Sequence, residues 1–166
     1  MTRITDALPR WARVLALALH ALPAAAAPAP EALWQLIGKL AAASTQGGQA
    51  VLGQWPGRSF SLTSAGDISS APVVLGPNLQ SAIAEVRLAE GDTVQLMVLE
   101  LQGSCITPAD IAARYAQVSN ADFPQPNNPD PVSYRRVEID GVRVSFGFRG
   151  ALPGCLTHVV FNPQAH

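Results

Sequence analysis

Cys155 and His158 stand three residues apart near the end of the chain. A thiol with an imidazole close by is the minimum that a cysteine nucleophile needs. The stretch that carries them, Cys155 to Phe161, reads as a strand, where residues three apart point to opposite faces. Cys105 is the only other cysteine, and an even count in an exported chain reads as a disulfide. Such a bridge would close a loop of about 50 residues and contribute on the order of 4 kcal/mol in the chain-entropy account. Cys105 and Cys155 are therefore expected to pair, with a catalytic thiol as the alternative.

Other chemistry is thinly supplied. After the N-terminal segment only His158 and His166 remain, and no H-E-x-x-H, C-x-x-C, Walker loop or G-x-S-x-G is present. A zinc site needs three or four ligands at short spacing, so neither a metal nor a cofactor is expected. Ser104, between Gly103 and Cys105, reads as a turn residue. The acidic residues are scattered singly, and only the fold decides whether two of them meet to cleave a glycoside. The expectation is a protein without catalysis, a small hydrolase with dispersed carboxylates being the catalytic rival.

A binding surface is better supported. Residues 119–131 form a long polar loop carrying Pro124, Pro126, Pro129 and Pro131, and loops of this length in a compact domain are commonly functional or disordered. Proline lowers the ordering cost on binding. Phe123 is the expected anchor, with Pro124, Asn127, Asn128 and Asp130 as further partner contacts, and the rival reading is a connection with no partner. Trp55, beside Pro56-Gly57, is a second anchor candidate or a core residue. Arg135, Arg136, Arg143 and Arg149 cluster late in the chain and are expected on a solvated face, with an anion site as the sharper alternative.

The elements that position these residues follow from periodicity. Leu33, Leu36, Ile37 and Leu40 recur at helical spacing, which predicts a helix over residues 31–43 broken at Gly47-Gly48, with a last helical turn near 49–53. Phe60 to Thr63 and Val73 to Leu75 are short strand candidates. Ala84, Val86 and Leu88 alternate with Glu85 and Arg87 as a half-buried strand, and Glu90-Gly91-Asp92 turns the chain. Residues 93–101 are apolar on both parities, which predicts a central strand covered on both faces. Thr107-Pro108-Ala109-Asp110 opens a second helix expected to reach about Gln117. Asp140-Gly141 is the pair that a two-residue type I′ hairpin demands. It sets Ile139 opposite Val142, Val137 opposite Val144 and Glu138 opposite Arg143. The expected fold is α+β: two successive helix-then-antiparallel-strand halves, roughly 31–101 and 105–163, forming one small disulfide-stapled domain.

The N-terminal segment places that domain in a compartment. Arg3, Arg10 and Arg13 precede an apolar run from Val14, and Ala24 and Ala26 make an A-x-A site, which is the layout of a secretory signal. Cleavage is expected after Ala26, leaving 27–166 as a single domain, because a cut after Ala27 would put Pro28 beyond the scissile bond. A spanning helix needs about 20 apolar residues, and Pro23 interrupts a shorter run, so no stable membrane insertion is expected. The remaining chain carries eight basic and eleven acidic side chains, a net charge of −3 that gives no footprint for nucleic acid. A periplasmic or secreted protein is expected.

The second half also carries a family resemblance. Thr107-x-x-Asp110-Ile111 opening a short helix, Tyr134 leading a strand, then Val142-Arg143-Val144-Ser145-Phe146 and Val159-Val160-Phe161, resembles BamE/SmpA-type and β-lactamase-inhibitor-protein-like domains. The resemblance covers residues 107–163 and implies a helical segment followed by an antiparallel sheet, used as a periplasmic or secreted binding module without catalysis. No lipobox cysteine is present, which departs from the BamE type and weakens the transfer of an assembly role; no site residue carries over. The combined expectation is a periplasmic protein-binding module, an inhibitor or immunity-type protein acting against an envelope enzyme, with an envelope-assembly or structural accessory protein as the alternative.

Overall fold

The computed structural model describes residues 31–57, 70–121, 131–149 and 154–163. The expected export signal, the strand candidate at Phe60–Thr63 and the loop residues Phe123, Pro124, Asn127, Asn128 and Asp130 lie outside the described residues.

Helix α1 spans Glu31–Ser44 and buries Leu33, Trp34, Leu36, Ile37 and Leu40, the stripe that the periodicity predicts. The chain breaks at Gly47 (φ +124°), and a second helix, α2, runs Gly48–Gln54. Asp92 closes over this break, its carboxylate accepting the Gln49 N–H at 3.0 Å. Strands β1 (Val73–Gly76), β2 (Leu79–Leu88) and β3 (Val94–Gly103) follow, then helix α3 (Pro108–Arg114), then β4 (Ser119–Asn120), β5 (Val132–Ile139), β6 (Val142–Arg149) and β7 (Cys155–Asn162). The fold is α+β. Among the described residues seven strands form one antiparallel sheet in the order β1-β2-β3-β7-β6-β5-β4.

The last strand is thus a central one. β7 enters between β3 and β6, so the strands after residue 105 join those before it in a continuous sheet. Helix α1 lies against β5 and β6 as well as β1. Trp34 meets Phe146 of β6 at a ring-centroid distance of 6.5 Å.

The hairpin register is the expected one. Ile139 faces Val142, Val137 faces Val144 and Glu138 faces Arg143, and the eight β5–β6 pairs run without a bulge. Asp140 and Gly141 have φ of +51° and +78°, as a type I′ turn requires. The predicted disulfide is also formed. Cys105, just before α3, bonds Cys155 at the start of β7, their Cα atoms 5.0 Å apart across a separation of 50 residues. The next residues continue the tie, Leu156 N–H donating to the Ile106 carbonyl at 2.8 Å.

Three expectations are corrected. Helix α3 opens at the predicted Thr107-Pro108-Ala109-Asp110, where the Asp110 carboxylate accepts the Thr107 N–H at 2.7 Å, but it stops at Arg114, and Tyr115 is already extended. Leaving the helix sets the Tyr115 ring 6.2 Å from Trp34 and 5.7 Å from Phe146, aromatic packing that another helical turn would forgo. The second concerns β3, where Val94, Met97, Leu99 and Leu101 are buried while Leu96 and Val98 are partly exposed and Glu100 is exposed. Among the described residues the helices cover one face of the sheet only, so the apolar residues of the other parity do not mark a second buried face. β2 also begins five residues earlier than expected. Ser81 hides its polarity there, its hydroxyl donating to the Glu100 carbonyl at 3.0 Å while the side chain points into the core.

Candidate functional site on the open face of the sheet

Alternation along paired strands divides the side chains cleanly. Val142, Val144, Phe146 and Phe148 of β6 turn to the helices with Leu156, Val159 and Phe161 of β7. The opposite parity forms the open face. Register sets Tyr134, Gly147, His158, Glu100 and Ala82 side by side in one row across five strands. Arg136 and Ser145 pair in the adjacent row, Glu138 and Arg143 in the next. Arg149 lies on this face at the other side of Gly147, two residues along β6.

His158 is the centre of this arrangement. The β6–β7 register shifts after Gly147, so Thr157 is an extra residue on β7 and the strand bulges there. The His158 ring lies across Gly147, where a Cβ would stand 2.2 Å from Nε2 and 2.3 Å from Cε1. Nε2 is 3.0 Å from the Tyr134 hydroxyl, and Nδ1 is 3.0 Å from the Thr157 hydroxyl. The Thr157 hydroxyl donates to the Gly147 carbonyl at 3.3 Å. With its proton so used, Thr157 Oγ1 accepts from Nδ1–H, and Nε2 accepts from Tyr134 O–H. One neutral tautomer satisfies all three contacts.

The electrostatics agree with that assignment. Burial holds the His158 pKa below its ordinary value, the Arg149 guanidinium lowers it further, and Glu100 opposes both. Burial raises the Tyr134 pKa against the pull of Arg149, which keeps the phenol protonated as a donor. The imidazole is therefore a locked structural member of the face, its basic nitrogen already occupied.

Three of the four clustered arginines share this face. Arg143 lies 3.7 Å from Glu138, and Arg136 Nε is shielded from solvent with no hydrogen-bond acceptor among the described residues. Arg135 is the exception: it pairs with Phe146 on the helix side of β5, and its Nη1 donates to the Tyr134 carbonyl at 3.0 Å. The other sequence candidates are structural. Trp55 is buried in the helix-side core, 6 % exposed, so it is not a surface anchor. Ser104 is exposed in the turn after β3, its hydroxyl donating to the Pro77 carbonyl. Cys155 is consumed in the disulfide, which removes the thiol reading.

The Tyr134–His158 contact joins residues 24 apart and had no local signature. Gly147 was the available signal, because a glycine within an otherwise well-filled strand marks the close approach of another group. Among the described residues no group of three or more His, Cys, Asp or Glu could hold a metal ion. Nor is any helix among them long and apolar enough to cross a membrane. Comparison with protein-family models, curated proteins and solved structures finds no match to this chain.

Proposed function

We propose that the protein is an exported, non-catalytic protein-binding module, an inhibitor or immunity-type protein that acts on an enzyme of the cell envelope. The observation that carries this reading is the open face itself. It is built on paired strands and presents Tyr134, Arg136, Arg143 and Arg149 around a hydrogen-bonded histidine. Tyrosine and arginine dominate the energetics of protein interfaces, and a surface already ordered before contact loses little entropy on binding. The secretory layout of the first 26 residues and the Cys105–Cys155 bridge support the compartment. The element order after Cys105, one helix and then antiparallel strands, is the order that an inhibitor-like module would have.

The proline loop belongs to the same proposal. It joins β4 to β5, and Phe123, Pro124, Asn127, Asn128 and Asp130 are its proposed contacts. Site-specific photo-crosslinking in envelope preparations tests the reading. A crosslinker replacing Ser145, at the middle of the open face, should capture one defined protein, and the same group at Gln35 on α1 should not. Phe123→Ala should weaken that capture by about 1–2 kcal/mol without changing the melting temperature. Equal labelling from both positions, or none from Ser145, would remove the open face as the interface.

A further inference from the structure

The sheet ends abruptly beside Arg136. Strand β4 is two residues long and pairs only with Arg135 and Arg136 of β5. The Tyr134 carbonyl accepts from Ala121 N–H on this edge, and the Arg136 carbonyl meets the Ser119 hydroxyl. By the same parity the backbone N–H and C=O of Glu138 face this edge, and among the described residues no strand meets them. The chain between α3 and β4 stands away from β5 and leaves a cavity of about 480 Å³, walled by Tyr115, Gln117 and Val118 on one side and Arg136, Val137 and Glu138 on the other.

The cleft is lined by one cation, Arg136, and one acid, Glu138, and the two are not paired with each other. Glu138 is engaged by Arg143, and Glu31, near the Tyr115 wall, is engaged by Arg114 at 3.4 Å. Arg136 makes no ion pair or side-chain hydrogen bond among the described residues, and its shielded Nε has no acceptor. A guanidinium at a cavity with no ion pair of its own is suited to a carboxylate, and an unpaired strand edge is suited to an extended chain.

We infer that the cleft between residues 115–118 and β5 binds an extended acidic peptide segment of the protein partner, which adds to the Glu138 edge and places a carboxylate on Arg136. The inference rests on the protein-binding reading and deepens it by naming the partner's chemistry. It also assigns a use to the short β4, which pairs with Arg135 and Arg136 only and leaves the Glu138 edge to the added segment.

The test is a nuclear magnetic resonance titration of the full secreted chain with acetyl-Val-Glu-Val-amide, its Val-Gln-Val analogue, and acetate. The glutamyl peptide should shift the Glu138 amide and the Arg136 Nε–H saturably, and the glutaminyl analogue should bind at least tenfold more weakly. Arg136→Gln should lose the glutamyl preference at an unchanged melting temperature, and Arg136→Lys should keep most of it. Equal binding of the two peptides, an unmoved Glu138 amide, or acetate binding as tightly as the peptide would overturn the inference. Peptide binding here with no crosslink from Ser145 would retain the cleft and remove the open face as the interface. A Ser145 crosslink with no peptide response would do the reverse.

Discussion

The two faces of this sheet are built on different physics. The helix-covered face is held by volume: Phe146, Phe148, Phe161, Met97 and Leu99 are buried side by side beneath Trp34, Ile37 and Leu40. Each side chain of that size contributes about 1.5–3 kcal/mol by leaving water. The open face has no second layer among the described residues and is held by direction. Tyr134, His158 and Thr157 form a chain of hydrogen bonds laid over a glycine, and charged groups flank it. Volume tolerates approximate shape, whereas direction needs each donor to meet its acceptor. Substitutions on one face should therefore register as lost stability, and those on the other mainly as lost organisation and binding.

The largest expected effect lies at Phe146 on the covered face. Its ring touches Trp34 and Tyr115 and joins α1, β6 and the end of α3. Phe146→Ala should cost about 3–5 kcal/mol in urea unfolding through the cavity it leaves. A loss under about 1 kcal/mol would mean that the helix layer does not hold the sheet.

Gly147→Ala, one residue along on the open face, should cost about 1–3 kcal/mol, because the new Cβ would meet the His158 ring at 2.2 Å. The informative readout is the ring itself. Histidine-selective resonances should show His158 released from Tyr134 while the melt stays cooperative. If the His158 environment is unchanged, Gly147 is not the floor of the site.

The Asp140–Gly141 turn serves both faces, since it sets which parity of β5 and β6 looks inward. Gly141→Val should cost about 1 kcal/mol or more, a β-branched residue resisting the φ of +78°. An unchanged melting temperature would contradict the turn.

How much of this was legible in the sequence depended on whether the determinant was local. The β5–β6 register follows from two turn residues and an alternating pattern, and every expected pair is found. The β2–β3 hairpin shows the limit. Its Glu90–Asp92 turn is a single 3-10 turn with Gly91 at φ +69°, and two irregularities in register occur along its length. Neither bulge has a residue signature that alternation detects. The central place of β7 is a non-local fact, since Val159 finds Leu99 across 60 residues of chain and no pattern around either specifies the other. The end of α3 was missed for a related reason: Tyr115 has helical spacing from Ile111, but its ring serves distant aromatics. The open-face site shares that character, since Tyr134, Gly147 and His158 are brought together only by the complete sheet.

The smallest expected effect concerns the protonation of His158, and it separates the faces most finely because His158, on the open face, is the one histidine among the described residues. The native pKa of His158 lies below its ordinary value of 6.5, first through burial and then through Arg149, with Glu100 in opposition. The unfolded chain therefore takes up a proton before the native one does as the pH falls. In that window the unfolded state holds more protons, so stability rises with pH. His158 should cost nothing above about pH 6.5 and should progressively destabilise the fold as the pH drops from there towards its native pKa. Protonation also places a hydrogen on Nε2, which forces Tyr134 to turn its own proton away and leaves that donor without its present acceptor. His158→Gln keeps a polar side chain without the titration, so its urea stability should lose the part of the slope below pH 6.5 that the wild type shows. Parallel pH profiles for the two proteins would mean that the imidazole is solvated in the native state, and the directional account of the open face would fail with it.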